Sequence, residues 1–241
     1  MEKIQKYSKK LSYSYTLGAF PTWELINTMP EIIKKVYISD EFEHKREMIE
    51  KLDSLSIRYE INKKLIEKLS PKGNVYVVAI FDKFQKKIVP NNHIVLNEVS
   101  DMGNLGTIIR TMIGFGMKDL AIIGNSCDIF NPKVIRASMG AIFRIRFSFY
   151  ENIESYIKDF KNNIYLFMLS KNEEDSIYNM KKKIPYSIVM GNEGAGLPEY
   201  FSDFGRKVFI PQSVEIDSFN LPIATAIGIY EFGRENEITD I

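Results

Sequence analysis

Three short blocks of glycine and polar residues mark the second half of the chain, and each is set against an apolar run. Block one runs from Asn104 to Arg110, block two from Gly191 to Leu197, and block three contains Ile210, Pro211 and Ser218 to Asn220. Around them, short apolar segments typical of buried strands alternate with segments of helical periodicity. This alternation predicts a parallel sheet, whose ligand sites lie beyond the carboxyl ends of the strands. The three blocks are therefore the candidate functional site.

Individual elements can be placed around the blocks from hydrophobic pattern and turn residues. Strands are predicted over residues 93–99, 186–190 and 208–210, each leading towards a block. Helices are predicted over residues 107–115, in block one, and 221–232, after block three. The second half of the chain is thus expected to fold as an α/β domain.

Composition excludes several classes of protein. In 241 residues, 45% are hydrophobic and 26% are charged, which is ordinary for a globular chain. No apolar run approaches the roughly 18 residues of a membrane span, and the lysines near Met1 are not followed by the apolar core of a signal peptide. The single cysteine, Cys127, excludes an intramolecular disulfide, and the two histidines, His44 and His93, make a zinc site improbable. We expect a cytoplasmic protein without a metal or a membrane partner.

Charge and turn residues divide the chain near residues 82–92, where a polar run precedes a Pro-Asn-Asn turn. Residues 1–90 carry 17 Lys and Arg against 12 Asp and Glu, whereas residues 91–241 carry 15 against 19. We predict two domains, 1–85 and 92–241, the first a small α/β domain. Its basic excess fits an RNA partner, because Lys and Arg contact phosphates, but it also fits an ordinary solvated helical surface.

Block one combines conformational freedom with polar side chains at the start of a helix. Gly103 and Gly106 permit backbone conformations closed to other residues. Asn104 offers an amide beside backbone N–H groups that a helix leaves unpaired. Arg110 follows one to two turns later, and a guanidinium suits bidentate phosphate binding. The alternative is an ordinary strand-to-helix turn with Arg110 in solvent.

Block two resembles a dinucleotide-binding glycine loop only superficially. It comes late in the chain, lacks the Gly-x-Gly start, and no acidic residue clearly ends a following strand. The pattern favours a tight loop whose backbone groups hold an adenosyl group, with a nicotinamide-dependent enzyme as the rival that a cofactor-binding assay separates. Glu193 within the loop either caps a helix or meets a ligand.

Block three joins a strand end to an apolar helix. Pro211 follows the strand, and Ser218, Phe219 and Asn220 precede a helix whose small residues allow close backbone approach. An N-cap role for Ser218 or Asn220 explains the pattern equally well.

In this order and at these separations, the blocks resemble the three signature motifs of the SpoU (TrmH-like) RNA ribose 2′-O-methyltransferases of the SPOUT superfamily. The resemblance implies methyl transfer from S-adenosyl-L-methionine to a ribose in structured RNA, with ribosomal RNA favoured over transfer RNA. It implies a parallel-sheet catalytic domain at 92–241 with a deep trefoil knot, and a homodimer formed through that domain. Residues 1–85 look like the small ribosomal-protein-like α/β domain that binds the RNA substrate.

The resemblance also assigns roles to residues. The implied catalytic residues are Asn104, Arg110, Glu193, Ser218 and Asn220. The implied cofactor-binding residues are Met190, Gly191, Asn192, Gly194, Gly196, Ile210, Pro211, Ser218 and Phe219. Two positions depart from the family pattern: Met102 stands where proline is usual, and Phe219 replaces leucine, which enlarges an apolar contact.

The expected role of Arg110 follows from its chemistry. A guanidinium stays protonated in proteins, which makes it a poor base. We therefore expect Arg110 to hold an RNA phosphate and to stabilise the developing alkoxide.

Two further alternatives are weighed against this assignment. A non-catalytic RNA-binding protein with the same fold is disfavoured because all five implied catalytic residues are intact. Cys127 as a nucleophile lacks a histidine partner in the sequence, and a small buried residue is the simpler interpretation.

Overall fold

The computed structural model describes residues 4–71, 73–170 and 172–234. The chain forms two compact units, which we call the N-terminal unit (Met1–Phe84 with Asp128–Arg144) and the C-terminal unit (Gln85–Cys127 with Ile145–Ile241). Residues 128–144, which fall within the predicted range 92–241, thus pack with the N-terminal residues. The predicted domain boundaries, 1–85 and 92–241, stay predictions.

Seven α-helices and ten strands form in the described part of the chain. The helices are α1 (Ala19–Thr28), α2 (Lys45–Ser54), α3 (Lys63–Leu69), α4 (Met102–Gly114), α5 (Pro132–Ala137), α6 (Ile153–Asp159) and α7 (Leu221–Gly233). The strands are β1 (Tyr13–Tyr15), β2 (Ile33–Ile38), β3 (Tyr59–Ile61), β4 (Val77–Asp82), β5 (His93–Asn97), β6 (Asp119–Ile123), β7 (Arg146–Tyr150), β8 (Asn163–Phe167), β9 (Tyr186–Met190) and β10 (Arg206–Val208). None of these helices is long and apolar enough to cross a membrane.

The N-terminal unit contains a four-stranded mixed sheet in the order β1-β4-β2-β3. Strand β4 runs antiparallel to both β1 and β2, whereas β2 and β3 are parallel. Its centre is apolar: five of the six residues of β4 are buried, from Val77 to Phe81. The unit is therefore a small α/β body with its own core.

The C-terminal unit contains a six-stranded sheet in the order β10-β8-β9-β5-β6-β7, and every neighbouring pair is parallel. All residues of β5, β6 and β9 are buried, as expected for strands covered on both faces. The predicted parallel α/β fold is confirmed. Strands β5 and β9 are neighbours, so the residues after their carboxyl ends meet at one edge of the sheet.

Helix α4 begins five residues earlier than predicted, so Asn104 lies inside its first turn. The Oδ1 atom of Asp101, the N-cap residue, accepts the Asn104 N–H at 2.7 Å. This bond satisfies one of the N–H groups that a helix start leaves unpaired, and it allows the helix to begin at Met102. The helix then buries residues at helical spacing, Leu105, Ile108, Ile109 and Met112.

Helix α7 packs against α4 and β9 and closes the unit. Gly228 makes this approach possible, because a Cβ atom there would lie 2.8 Å from Cζ of Phe167. The predicted span of 221–232 agrees with the observed helix to within one residue.

A buried polar network lies at the opposite, amino edge of the parallel sheet. The Nε2 atom of His93 lies 2.7 Å from the Val89 carbonyl oxygen, and Nδ1 lies 2.7 Å from the Tyr156 hydroxyl. Because a carbonyl only accepts, the proton is on Nε2, and Nδ1 accepts from Tyr156. The Tyr156 oxygen then accepts from the Ser187 hydroxyl at 2.5 Å. These donor and acceptor roles are those of a neutral imidazole, the form that burial of His93 favours.

The buried histidine predicts a pH-dependent stability. Desolvation by burial lowers the pKa of His93, against the opposing effect of the Val89 carbonyl. The unfolded chain, with a histidine pKa of about 6.5, binds the proton more readily, so the free energy of unfolding decreases as pH falls below about 6.5. The slope from this residue is at most about 1.4 kcal/mol per pH unit.

Urea denaturation between pH 7.5 and 5.5 checks this. His93→Gln is expected to flatten the slope, and His44→Gln, at the only other histidine, exposed on the surface, is the matched control. A wild-type slope that survives in His93→Gln contradicts the prediction.

Candidate active site

Two loops form the site at the carboxyl edge of the parallel sheet. The first, residues 98–101, joins β5 to α4, and the second, residues 191–197, follows β9. The pairing of β5 with β9 brings the loops together because parallel neighbours end at the same edge.

The second loop is a tight hairpin. The Asn192 N–H donates to the Gly196 carbonyl at 3.1 Å, and the Gly196 N–H donates back at 2.9 Å. A Cβ atom at Gly191 would lie 2.2 Å from the Gly196 carbonyl carbon, so only glycine fits there. Inside the hairpin, Oδ1 of Asn192 accepts the N–H groups of Gly194 and Ala195 at 2.9 and 3.0 Å. Asn192 therefore shapes the hairpin with its own side chain.

Glu193 bonds the hairpin to the start of α4. Its Oε2 atom accepts the backbone N–H and the hydroxyl of Ser100, both at 3.1 Å. Its Oε1 atom accepts the Asp101 N–H at 3.0 Å and the Asn104 side-chain amide at 3.2 Å. One carboxylate thus fixes the loop after β5 and orients Asn104.

These bonds keep the carboxylate ionised. Partial burial alone would raise the pKa of Glu193, but bonds from its own N–H, from the Ser100 and Asp101 N–H groups and from Asn104 outweigh it and lower the pKa. The ionised carboxylate accepts four hydrogen bonds from Ser100, Asp101 and Asn104, and it therefore fixes the groups that donate to it.

Glu98, which the sequence did not single out, is the backbone link between the loops. It has a φ of 53°, a left-handed conformation that is uncommon for residues other than glycine. Its carbonyl accepts the Asn192 side-chain amide at 2.8 Å, and its N–H donates to the Ile123 carbonyl at 3.0 Å. A lone glutamate after a strand gives no turn signal, so sequence patterns do not reveal this position.

A pocket of about 460 Å³ opens beside the hairpin. Its walls are the hairpin, the ends of β8 and β10, and the segment that leads into α7. The predicted residues that line it are Met190, Gly191, Asn192, Glu193, Gly194, Gly196, Ile210, Ser218 and Phe219. Blocks two and three therefore meet at one cavity, and block one reaches it through the bond between Asn104 and Glu193.

Four predicted residues are absent from the pocket lining. Asn104 is one of them and reaches the pocket through its bond to Glu193. Arg110 is exposed on α4 and has no hydrogen bond or ion pair with any residue that the structure describes. Asn220 is the exposed N-cap residue of α7, without a side-chain capping bond. Pro211 lies between the lining residues Ile210 and Gln212. The functional roles of all the predicted residues stay predictions.

The described residues contain no group of three or more His, Cys, Asp or Glu side chains arranged to hold a metal ion. The expected independence from metal stays a prediction.

A model of the SpoU rRNA Methylase family matches residues 91–230, more than half of the chain. The chain belongs to the SpoU rRNA methylase family. The matched range contains both loops of the site and the whole pocket. The family predicted from the three blocks is thus confirmed.

Curated SpoU relatives and solved structures resemble most of the chain. A putative TrmH family tRNA/rRNA methyltransferase of Staphylococcus saprophyticus is 30% identical over 176 residues, 68% of this chain and 69% of that protein. The 23S rRNA (guanosine(2553)-2′-O)-methyltransferase RlmP of Bacillus subtilis is 22% identical over 204 residues, 83% and 81% of the two chains.

The crystal structure of an AdoMet-bound rRNA methyltransferase from Sinorhizobium meliloti superposes with a TM-score of 0.79 at 27% identity. It covers 92% of this chain and 87% of that one. The SpoU family and this neighbour support an RNA methyltransferase that uses S-adenosyl-L-methionine, as the sequence predicts.

The Glu193 arrangement predicts a stability effect. Glu193→Gln places an amide N–H₂ among donors from Ser100, Asp101 and Asn104, so at least one donor loses its acceptor. We expect the free energy of unfolding at pH 7 to fall by about 1–3 kcal/mol. Because the pKa of Glu193 is lowered in the folded state, the wild-type advantage is present at neutral pH and disappears as pH falls through that pKa.

Urea denaturation at pH 7 and pH 4 measures both effects. Glu199→Gln is the matched control, since Glu199 is exposed and pairs with Lys207 at the surface. Equal stability of Glu193→Gln and wild type at pH 7 would show that the carboxylate does not hold the loops.

Proposed function

We propose that this SpoU family member transfers a methyl group from S-adenosyl-L-methionine to the 2′-hydroxyl of a ribose in structured RNA. The observation that carries the proposal is the Glu193 carboxylate, which holds Asn104 at the edge of a pocket built from blocks two and three. A Rossmann-type dinucleotide site would instead place its glycine loop after the first strand of the sheet.

The pocket fits an adenosyl ligand in size and chemistry. Its volume of about 460 Å³ lies within the usual range of small-molecule sites. Apolar side chains of the lining, including Leu169, Phe219 and Leu221, suit a flat heterocycle, and the hairpin around Gly194 supplies backbone polar groups. When bound, the cofactor supplies a methyl group on a sulfonium, which is already activated for transfer. The protein then contributes position and charge.

Each of the implied catalytic residues has a distinct task in the proposed mechanism. Asn104, oriented by Glu193, presents its amide to the ribose. Arg110 holds an RNA phosphate and stabilises the negative charge that develops on the 2′-oxygen as the hydroxyl proton passes to solvent water, since its guanidinium is permanently charged. Ser218 and Asn220, exposed at the start of α7, provide a hydroxyl and an amide for the RNA.

Ribosomal RNA is the proposed substrate class, ahead of transfer RNA. The family model is named for rRNA, and the RlmP relative is a 23S rRNA 2′-O-methyltransferase. Residues 1–84 and 128–144 carry 18 Lys and Arg against 13 Asp and Glu, which suits the phosphates of a folded RNA. We assign the RNA-binding role to the N-terminal unit and a ribosomal-protein-like character to its fold.

We also propose a homodimer through the C-terminal unit. Ile223, Ile227 and Tyr230 follow one another at helical spacing on α7, and Tyr230 is 58% exposed. The ring of Phe115, after α4, lies 6.1 Å from that of Tyr230. A continuous apolar face of this kind fits a second copy of the chain.

The deep trefoil knot implied by the resemblance belongs to the proposed fold, and mechanical stretching of the folded chain tests it. When a knotted chain is fully stretched, its end-to-end length is shorter than that of an unknotted chain with the same number of residues. A cytoplasmic location, testable by cell fractionation, completes the proposal.

Cofactor binding is the first test of this function. Calorimetric titration should give micromolar binding of S-adenosylmethionine and S-adenosylhomocysteine and no binding of NAD. Gly191→Ala should abolish adenosyl binding, because its Cβ atom collides with the Gly196 backbone. Gly233→Ala, where a Cβ atom meets nothing within 4 Å, is the matched control. Binding of NAD alone would contradict the proposed function.

Arg110→Lys tests the second part of the mechanism. Lysine keeps the charge but loses the planar fork, so we expect methyl transfer to slow by about 10²–10³-fold while adenosyl affinity stays unchanged. Arg206→Lys, on β10, serves as the control for a general arginine effect. Near-normal transfer by Arg110→Lys with unchanged RNA affinity would refute the bidentate role.

Sedimentation equilibrium tests the dimer. Tyr230→Glu places a charge on the apolar face of α7 and should shift the protein to monomer at concentrations where wild type is dimeric. Tyr178→Glu is the matched change at another exposed tyrosine. A dimer that persists in Tyr230→Glu, or a monomeric wild type, would exclude this interface.

A further inference from the structure

Two aromatic side chains in the N-terminal unit stand in solvent at one end of its sheet. Phe20 is 73% exposed and Tyr76 is 41% exposed. The antiparallel pairing of β1 with β4 continues past β1, since the Thr16 N–H donates to the Ala79 carbonyl and the Gly18 N–H to the Val77 carbonyl, both at 3.0 Å. The last bonded pair is Gly18 with Val77. Phe20 lies two residues after Gly18, in the first turn of α1, and Tyr76 directly precedes Val77. The backbone therefore brings Phe20 and Tyr76 to the same end of the strand pair.

Buried hydroxyl groups of Thr16 and Thr22 stabilise the turn that precedes Phe20. The Thr16 hydroxyl accepts the Ala79 N–H at 2.9 Å and lies 2.6 Å from the Thr22 hydroxyl. Thr22 in turn donates to the Gly18 carbonyl at 2.8 Å, and both threonines are fully buried. Gly18 has a φ of 107°, a conformation open essentially to glycine alone. Phe20 is thus displayed by a fixed turn, which lowers the entropy lost when a ligand covers it.

The segment that contains Arg136 and Gly140 packs against this turn and carries an exposed positive charge. Gly140 fits so closely that a Cβ atom there would lie 3.0 Å from Cα of Pro21 and 2.7 Å from Cβ of Glu24. Arg136 lies one turn earlier and is exposed, without an ion pair or hydrogen bond to its side chain among the described residues. Arg144, by contrast, is paired with Glu24.

We propose that Phe20 and Tyr76 form a stacking platform for unpaired bases of the RNA substrate, with Arg136 holding an adjacent phosphate. Stacking accepts any base, because every base has a π-face, and recognition of folded RNA relies on bases exposed in loops and bulges. The net charge of +5 on this unit favours a polyanion over an apolar protein partner. The inference rests on the proposed function, since it presumes an RNA substrate.

The chain carries its own reporter for this platform. Trp23, the only tryptophan, lies on α1 three residues after Phe20. Titration of the full-length protein with a short oligoadenylate should change its fluorescence, and the same strand in a duplex should bind more weakly. Phe20→Ala and Tyr76→Ala should each weaken single-strand binding by about 5- to 100-fold. Phe20→Tyr should keep the wild-type affinity for single-stranded RNA, because tyrosine retains an aromatic ring. Tyr178→Ala, in the C-terminal unit, is the matched control.

Salt dependence separates stacking from charge. The two alanine variants should keep the wild-type slope of log affinity against log salt, whereas Arg136→Ala should reduce that slope by about one phosphate contact. In methyl-transfer assays Phe20→Ala should raise the KM for RNA and leave kcat unchanged. Thermal unfolding of the variants confirms that each one is folded.

Wild-type affinity in both Phe20→Ala and Tyr76→Ala, equal binding of single strand and duplex, or no RNA binding at all would overturn the platform. The adenosyl titration keeps the two proposals distinct. Intact adenosyl binding with unaffected platform variants rejects only the platform, whereas loss of adenosyl binding in the wild type rejects the proposed function.

Discussion

The site depends on one carboxylate placed between two backbone loops. Glu193 accepts hydrogen bonds from the loop after β5 while it belongs to the hairpin after β9, so it joins neighbouring strands beyond the point where the sheet ends. Hydrogen bonds to an ionised carboxylate are stronger than neutral ones, and two of these four come from backbone N–H groups of the loop. The position of the loop after β5 and the orientation of Asn104 both depend on this contact.

Steric crowding inside the hairpin explains why block two needs glycine at position 191. A hairpin that returns on itself within six residues leaves no room for side chains on its inner side, as the Gly191 position shows. With that space closed, Asn192 satisfies the inner N–H groups and Glu193 is left facing α4. The pocket is lined by the hairpin and by the start of α7. The left-handed conformation of Glu98 is held by hydrogen bonds to both its N–H group and its carbonyl. Residues held in such uncommon conformations are often found at functional sites.

Sequence reasoning placed the blocks correctly because a parallel sheet forces loops to one edge, and strand β9 was predicted to the residue. It missed the early start of α4. Gly103 and Gly106 disfavour a helix, but the capping bond of Asp101 allows the helix to include them. It also gave no indication of Glu98, whose conformation depends on a contact 94 residues away. The packing of residues 128–144 with the N-terminal unit was missed for the same reason: it arises from tertiary contacts such as Gly140 on Pro21.

The central claim is that the acceptor atom is a ribose oxygen of RNA. The most direct measurement is mass spectrometry of nucleosides from unmodified ribosomal RNA that was incubated with the protein and isotope-labelled S-adenosylmethionine. The account predicts label in one 2′-O-methylated nucleoside, and none when the Arg110→Lys protein is used for the same time. Label on a base, or none in any RNA despite tight adenosyl binding, would contradict it.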